Sequence, residues 1–277
     1  MTASPLDRMF DAPGPRGRRN IRLASLAAVP LLAGAVWLVL HRFAQAGGLE
    51  WKKWQIFESA GVLKLLASAL YATVSAAAAA GVLALVLGTA LALLRLSRRR
   101  WVRGGAAAYV EVTRSLPTLL VLYFTILILP YYGIRLAVYW QLVLALTITN
   151  AAMIAEVLRA SLLSIPKGQM EASLSLGLTR PRACWYIVLP QAFRAAMPAL
   201  VSQIIYLLKG TVLGYVISYE ELLYSAKMIG EYTNFILQSV LVVTAIYLVL
   251  NLAMSGVSSW VERRLALRGA AFSKGET

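Results

Sequence analysis

The chain has 277 residues, 60% of them hydrophobic and 14% charged, with a mean hydropathy of +0.70. A water-soluble domain of this size has too little interior for that much apolar surface, so the chain needs lipid as its solvent. The formal charge of +15 does not mark a nucleic-acid binder, because the cations fall between apolar runs and no aromatic-interleaved basic domain accompanies them. One cysteine, Cys184, and one histidine, His41, exclude an intrachain disulfide and argue against a His/Cys metal site within the chain.

Residues 1–20 are rich in Pro, Gly and Arg and read as a disordered basic tail. The first apolar run, 23–40, lies within a transmembrane helix over 21–43. Basic residues before it and Ala44-Gln45-Ala46 behind it imitate a secretory leader with Ala46 as the cleavage point. Its 18 residues exceed the roughly 7–15 of a leader's apolar stretch, so an uncleaved anchor is expected. An external interfacial segment over 44–63 follows, with Trp51, Trp54 and Phe57 beside Lys52 and Lys53 at helical spacing.

Five further apolar runs occupy 65–94, 115–134, 136–155, 195–219 and 232–261. Each is near or above the roughly 20 residues that cross about 30 Å of hydrocarbon. They are rich in Leu, Ala and Val and lack strand-like alternation, so the fold class is all-α, with about six transmembrane helices. Nineteen of the 27 Lys and Arg lie in alternate connections, among them Arg95, Arg98, Arg99, Arg100 and Arg103 after the second span. The positive-inside bias then makes both termini cytoplasmic, with a tail over 263–277.

The segment 160–194 is the longest connection on that side. Pro166 suits an early position in a first short helix, Gly177 suits its stop, and Thr179 with Pro181 suits the start of a second. Pro190 and Pro198 then mark a turn up into the fifth span, so a compact helix-turn-helix knob is expected.

Within that knob stand Glu171-Ala172-Ser173, then Gly177, then, nine residues on, Ile187-Val188-Leu189-Pro190. This resembles the EAA loop of ABC importer permeases, with Ser173 in place of the second Ala. Neighbouring stretches are similar to the polar-amino-acid branch of that family: Ser164 to Gln169, Tyr109 to Pro117, and Ala155 to Arg159. Leu208-Lys209-Gly210-Thr211 and Ser218 to Leu223 resemble the glutamate-import subgroup, although Gly210 stands where that subgroup usually has Asp. The resemblance covers about 64–262 and implies a type I ABC importer permease domain in an inner or plasma membrane. It implies that Glu171, Ala172, Ser173, Gly177, Ile187, Leu189 and Pro190 dock an ATPase and transmit its closure. It also implies three partners: an ABC ATPase dimer, a second permease subunit (the same chain or a paralogue), and an extracytoplasmic amino-acid-binding protein. Membrane lipid surrounds the assembly.

Polar groups inside spans line a pathway or bond a neighbouring helix. Lys209, Thr211, Asn150, Gln203 and Arg114 are the candidates for a substrate pathway. For Lys209 a structural ion pair or a snorkelling amine is the competing reading, and for Asn150 and Gln203 helix bonding is favoured. Glu156 with Arg159, and Glu111 with Arg114, stand three apart and suit pairing on one helix face. Pro117 suits a kink. The chain never places Gly before Lys, so no phosphate-binding Walker A loop exists here. ATP and Mg are therefore expected on the partner ATPase, with no cofactor or enzymatic activity in this chain. A gradient-driven secondary transporter is the competing function, and it calls for inverted repeats or several intramembrane acids, neither of which is evident.

Overall fold

The computed structural model describes residues 14–273, and every regular element in it is helical. Residues 1–13, most of the expected first tail, and residues 274–277 of the expected last one lie outside the described residues. Residues up to Phe57 form one compact unit and those from Glu58 another.

In the first unit, α1 runs Pro15–Gln45. It starts before residue 20, the expected tail boundary, because Pro15 occupies the first turn, where a missing N–H costs nothing. Its Leu and Val side chains are exposed all round, which only lipid tolerates. The chain then reverses at Gly47 (φ +68°) and Gly48, where an added Cβ would sit 2.2 Å from the Phe43 ring. Lys53 donates to the Gly47 carbonyl (2.8 Å) and Trp54 Nε1 to that of Gly48 (3.0 Å). The expected interfacial helix is therefore a short α2, Trp51–Trp54, with a 3-10 turn over Gln55–Glu58.

The second unit opens with α3, Ala60–Arg95, whose cap Ser59 accepts from the Val62 N–H. Ala69, Thr73, Ala76, Ala80, Ala84, Gly88 and Ala92 form its buried stripe at intervals of three and four. Much of that stripe lies against α6, Val138–Ser164, the most deeply buried of the described spans, which also contacts α4, α5 and α9 below. Small residues let two backbones approach closely in lipid, where dispersion rather than water release drives packing. A Cβ on Gly88 would meet Ile154 Cγ2 at 2.7 Å and the Ala151 carbonyl at 2.8 Å.

Between these two helices come α4, Arg100–Ser115, and α5, Thr118–Tyr131, bent by 102° relative to each other. Pro117 has no N–H and forces Leu116 to an extended conformation (ψ 132°), which ends α4. The 14-residue α5 is about 21 Å long, short of the roughly 30 Å hydrocarbon core. The expected third span is thus a broken one. Counting the bent pair once, six helices among the described residues are long and apolar enough to cross a membrane.

After the elbow described below, α9 runs Leu189–Gly210 and passes into a 3-10 turn, Thr211–Ile217, that ends at Ser218 with φ 58°. Next is α10, Leu222–Thr233, capped by Glu221. This carboxylate is fully buried and accepts from the N–H groups of Leu223 and Tyr224 and from the hydroxyl of Tyr247, each at 2.8 Å. The Leu222 N–H donates to Thr73 of α3 and the Tyr219 hydroxyl to the Ala72 carbonyl. Glu221 thus ties α10 to α11, while Leu222 and Tyr219 on either side of it hold α3; α11, Ile236–Ser273, begins after Asn234 (φ 61°) and continues through the expected tail boundary at 263.

Gly88→Leu is expected to destabilise the purified protein by about 1–3 kcal/mol through overpacking at the α3–α6 contact. Gly81→Leu, where an added Cβ meets nothing within 4 Å, is expected to leave the unfolding midpoint unchanged in a thermal melt in detergent.

Candidate functional site

The elbow after α6 begins where Ile165 turns extended and Pro166 caps α7, Lys167–Ser175. Gly177 has φ +81°. Its N–H donates to the Leu174 carbonyl (3.0 Å) and that of Leu178 to the Ser173 carbonyl (3.2 Å), the paired closure that a left-handed residue gives a helix end. Nothing lies within 4 Å of an added Cβ there, so backbone conformation, not space, demands glycine.

Past the turn, α8 covers Arg180–Ala183, with Thr179 at its cap position and Pro181 in its first turn; the Thr179 side chain makes no capping bond. The turn into the fifth span expected at Pro190 and Pro198 is not present, and both prolines lie within α9. Instead α8 passes through a π-helical segment, Cys184–Val188, into α9, giving one helix from Arg180 to the end of the 3-10 turn. Pro190 sits in the first turn of α9, and the wider π turn before it relieves the bonding and steric demands that proline makes in an α-helix. Gln191 donates to the Ile187 carbonyl (2.9 Å) and to Gln169 (3.3 Å), fastening α9 to α7.

The motif residues divide between two environments. Ser173 and Leu189 are buried and Ile187 is half-buried, so these close the elbow, whereas Glu171, Ala172, Gly177 and Pro190 are exposed. Beside them, Leu176, Trp185 and Tyr186 are 84%, 58% and 68% exposed. The three apolar side chains enlarge the exposed face well beyond the motif. Trp185 and Tyr186 lie within the nine-residue spacer, where a motif reading has no reason to look.

A second feature lies at the α4–α5 break. A cavity of about 160 Å³ is walled by Thr113, Arg114, Thr118, Thr149, Asn150 and Tyr206, with Leu116, Pro117 and Met153. Arg114 approaches Glu156 at 3.8 Å. Glu156 also pairs with Arg159 (2.5 Å), as its spacing suggests, and with Arg95 of α3. One carboxylate thus serves three guanidiniums. Arg114 pairs across to α6, not with Glu111 on its own helix.

Asn150 is both cavity wall and helix bond: it donates to the Leu146 carbonyl (2.8 Å) and accepts from Gln203 of α9 (2.9 Å). Thr211 is fully buried, bonded to the Leu208 carbonyl, and does not line the cavity. Lys209 is exposed, does not line the cavity, and forms no ion pair or hydrogen bond with a described residue. Sequence reasoning misses Tyr206 and the three threonines of the wall. The available signal was the pairing of Thr113 with Arg114 just ahead of Pro117, opposite Thr149 and Asn150.

An all-helical membrane domain with a broken span and a glycine-closed elbow carrying this motif defines an importer permease. Residues 80–267 match the family described as the binding-protein-dependent transport system inner membrane component, and the chain belongs to that family. It is 37% identical to the glutamate transport system permease protein GluD of Corynebacterium glutamicum, over 79% of this chain and 82% of that one. It is 35% identical to the glutamate/aspartate import permease protein GltK of Escherichia coli, over 74% of this chain and 95% of that one. A crystal structure of an amino acid ABC transporter with histidines superposes with a TM-score of 0.68 at 31% identity, covering 74% of this chain and 95% of its own. Within the family, the chain is an amino-acid ABC transporter permease.

Glu156→Gln is expected to lower the thermal midpoint more than Arg159→Gln, because only Glu156 is shared by three cations. The difference is about 1–3 kcal/mol, read from unfolding curves of the two purified variants.

Proposed function

We propose that the chain is one membrane-spanning subunit of an ATP-driven importer. It passes glutamate or a closely related amino acid from an extracytoplasmic binding protein to the cytoplasm by alternating access. The single observation that carries this reading is the Gly177-closed elbow, which presents Glu171 and Ala172 beside exposed Leu176, Trp185 and Tyr186. An apolar and charged face of that kind on a short connection suits a protein partner. In this reading the partner is a separate ABC ATPase dimer, which binds ATP and Mg. The positive-inside distribution supports a cytoplasmic elbow and cytoplasmic termini.

The preference for an acidic substrate rests on the cavity. Arg114 faces it from a cluster in which guanidiniums outnumber carboxylates three to one. Such a surplus attracts a ligand carboxylate. Thr113, Thr149 and Asn150 supply neutral hydrogen-bonding groups beside it. The names of GluD and GltK support the same substrate class. Lys209 is an exposed amine on a spanning helix, and in lipid it calls for cover from a second permease subunit or an aqueous path.

The test is co-purification with a candidate ATPase, followed by uptake of labelled glutamate into proteoliposomes supplied with the binding protein. Wild type is expected to hold the ATPase and to import only with ATP inside; uptake without ATP, driven by an ion gradient, would make this a secondary transporter. Gly177→Val is expected to lose ATPase retention. Arg114→Gln is expected to keep the ATPase but raise the apparent KM for glutamate by about ten- to a hundredfold, the size of one charge-assisted hydrogen bond. Lys209→Met, if it leaves both rate and KM unchanged, removes Lys209 from the pathway.

A further inference from the structure

The end of the connection from α3 and the first turn of α4 carry Arg98, Arg99, Arg100 and Arg103, all exposed. None of the four makes an ion pair with a described residue. The first turn of α4 contains no acid. The contrast with Arg95, Arg114 and Arg159, which converge on Glu156, is sharp. Four positive charges within six residues repel one another at short range and concentrate anions around them.

Their surroundings indicate which anion. The lipid-facing side chains of α3, including Val82, Val86 and Leu94, continue to Leu96, which is itself exposed. Arg98 follows two residues later, so the arginines lie where an apolar surface gives way to a charged one. Trp101 is 82% exposed, and the Arg100 guanidinium lies 5.6 Å from its ring centre. An exposed Trp beside cations is the composition of a membrane–water boundary, where indole prefers to sit. Only one face of α4 (Ala106, Val110 and Thr113) is buried in the protein, and the 102° bend sets this helix across the axis of α5.

We propose that Arg98, Arg99, Arg100, Arg103 and Trp101 form a binding site for the phosphate headgroups of anionic phospholipids. The site rests on the membrane-spanning reading alone and is independent of the substrate. A docking surface for a protein would not require a side-chain band continuous with the lipid-facing surface of α3, and the elbow contributes none of these residues.

The purified chain, reconstituted into vesicles, tests this through quenching of Trp101 fluorescence by brominated lipid, taken as the difference between wild type and Trp101→Phe. Brominated phosphatidylglycerol is expected to quench Trp101 at a mole fraction on the order of tenfold lower than brominated phosphatidylcholine, as several cations at an anionic surface should give. Replacing all four arginines with glutamine is expected to bring the two lipids together; should that variant fail to fold, Arg98→Gln/Arg99→Gln and Arg100→Gln/Arg103→Gln are read separately. Equal quenching by both lipids in wild type, or a preference that survives the substitutions, overturns the proposal. Displacement of the effect by inorganic phosphate would reveal a free-anion site instead. Trp101 quenched by aqueous iodide but by neither lipid would mean a solvated surface open to a protein partner.

Discussion

Close approach between α3 and α6 is the contact on which the second unit is built. It exists because α3 presents alanines and Gly88 along one stripe, so that backbone and Ile154 of α6 fill space that side chains would otherwise take. In lipid there is little hydrophobic gain from bringing two apolar helices together, and packing quality decides whether they stay. With α6 held in this way, α4, α5 and α9 each gain a fixed surface to pack on.

Because α6 is central, it joins features that are distant in the sequence. Along its length it offers Thr149 and Asn150 to the cavity, Glu156 to the three guanidiniums, and finally Ser164 to the elbow. Gln203 bonds Asn150 from the helix that leaves the elbow, so both helices flanking the elbow meet beside the cavity. A carboxylate ligand near Arg114 would compete with Glu156 for the same cation. Under the function proposed above, occupancy of the cavity would thereby be linked to the arrangement of the helices by shared charge, without a dedicated relay.

Much of this was legible in the sequence. Spans were visible as apolar runs, the glycine stop at Gly177 followed from its position after a short helix, and Pro117 was read as a kink, where the structure has a 102° break. Helix continuity through Pro190 was not legible, because proline reads locally as a terminator and a π turn has no compositional mark. The Arg114 partner was misassigned for a related reason: spacing of three describes neighbours on one helix and says nothing of a carboxylate carried by another. Glu221 stood in a stretch resembling the glutamate-import subgroup, yet its role here is to close three hydrogen bonds in a dry interior. Which polar groups share a cavity depends on how helices are rotated against each other, and no single run of residues encodes that.

The π segment at Cys184–Val188 has a geometric consequence for the helix it interrupts. Each residue of an α-helix advances the azimuth by about 100°, and a π turn accommodates one extra residue without ending the helix. Trp185 and Tyr186 are therefore phased out of step with the stripe formed farther along by Ala192, Ala196 and Leu200. Were the same residues wound as ordinary α-helix, the seven-residue step from Trp185 to Ala192 would be about 700°, nearly two full turns, and Trp185 would return to that stripe. The segment acts as the indexing pin of a shaft, fixing which compass direction the elbow faces when the body of the helix is seated in the membrane.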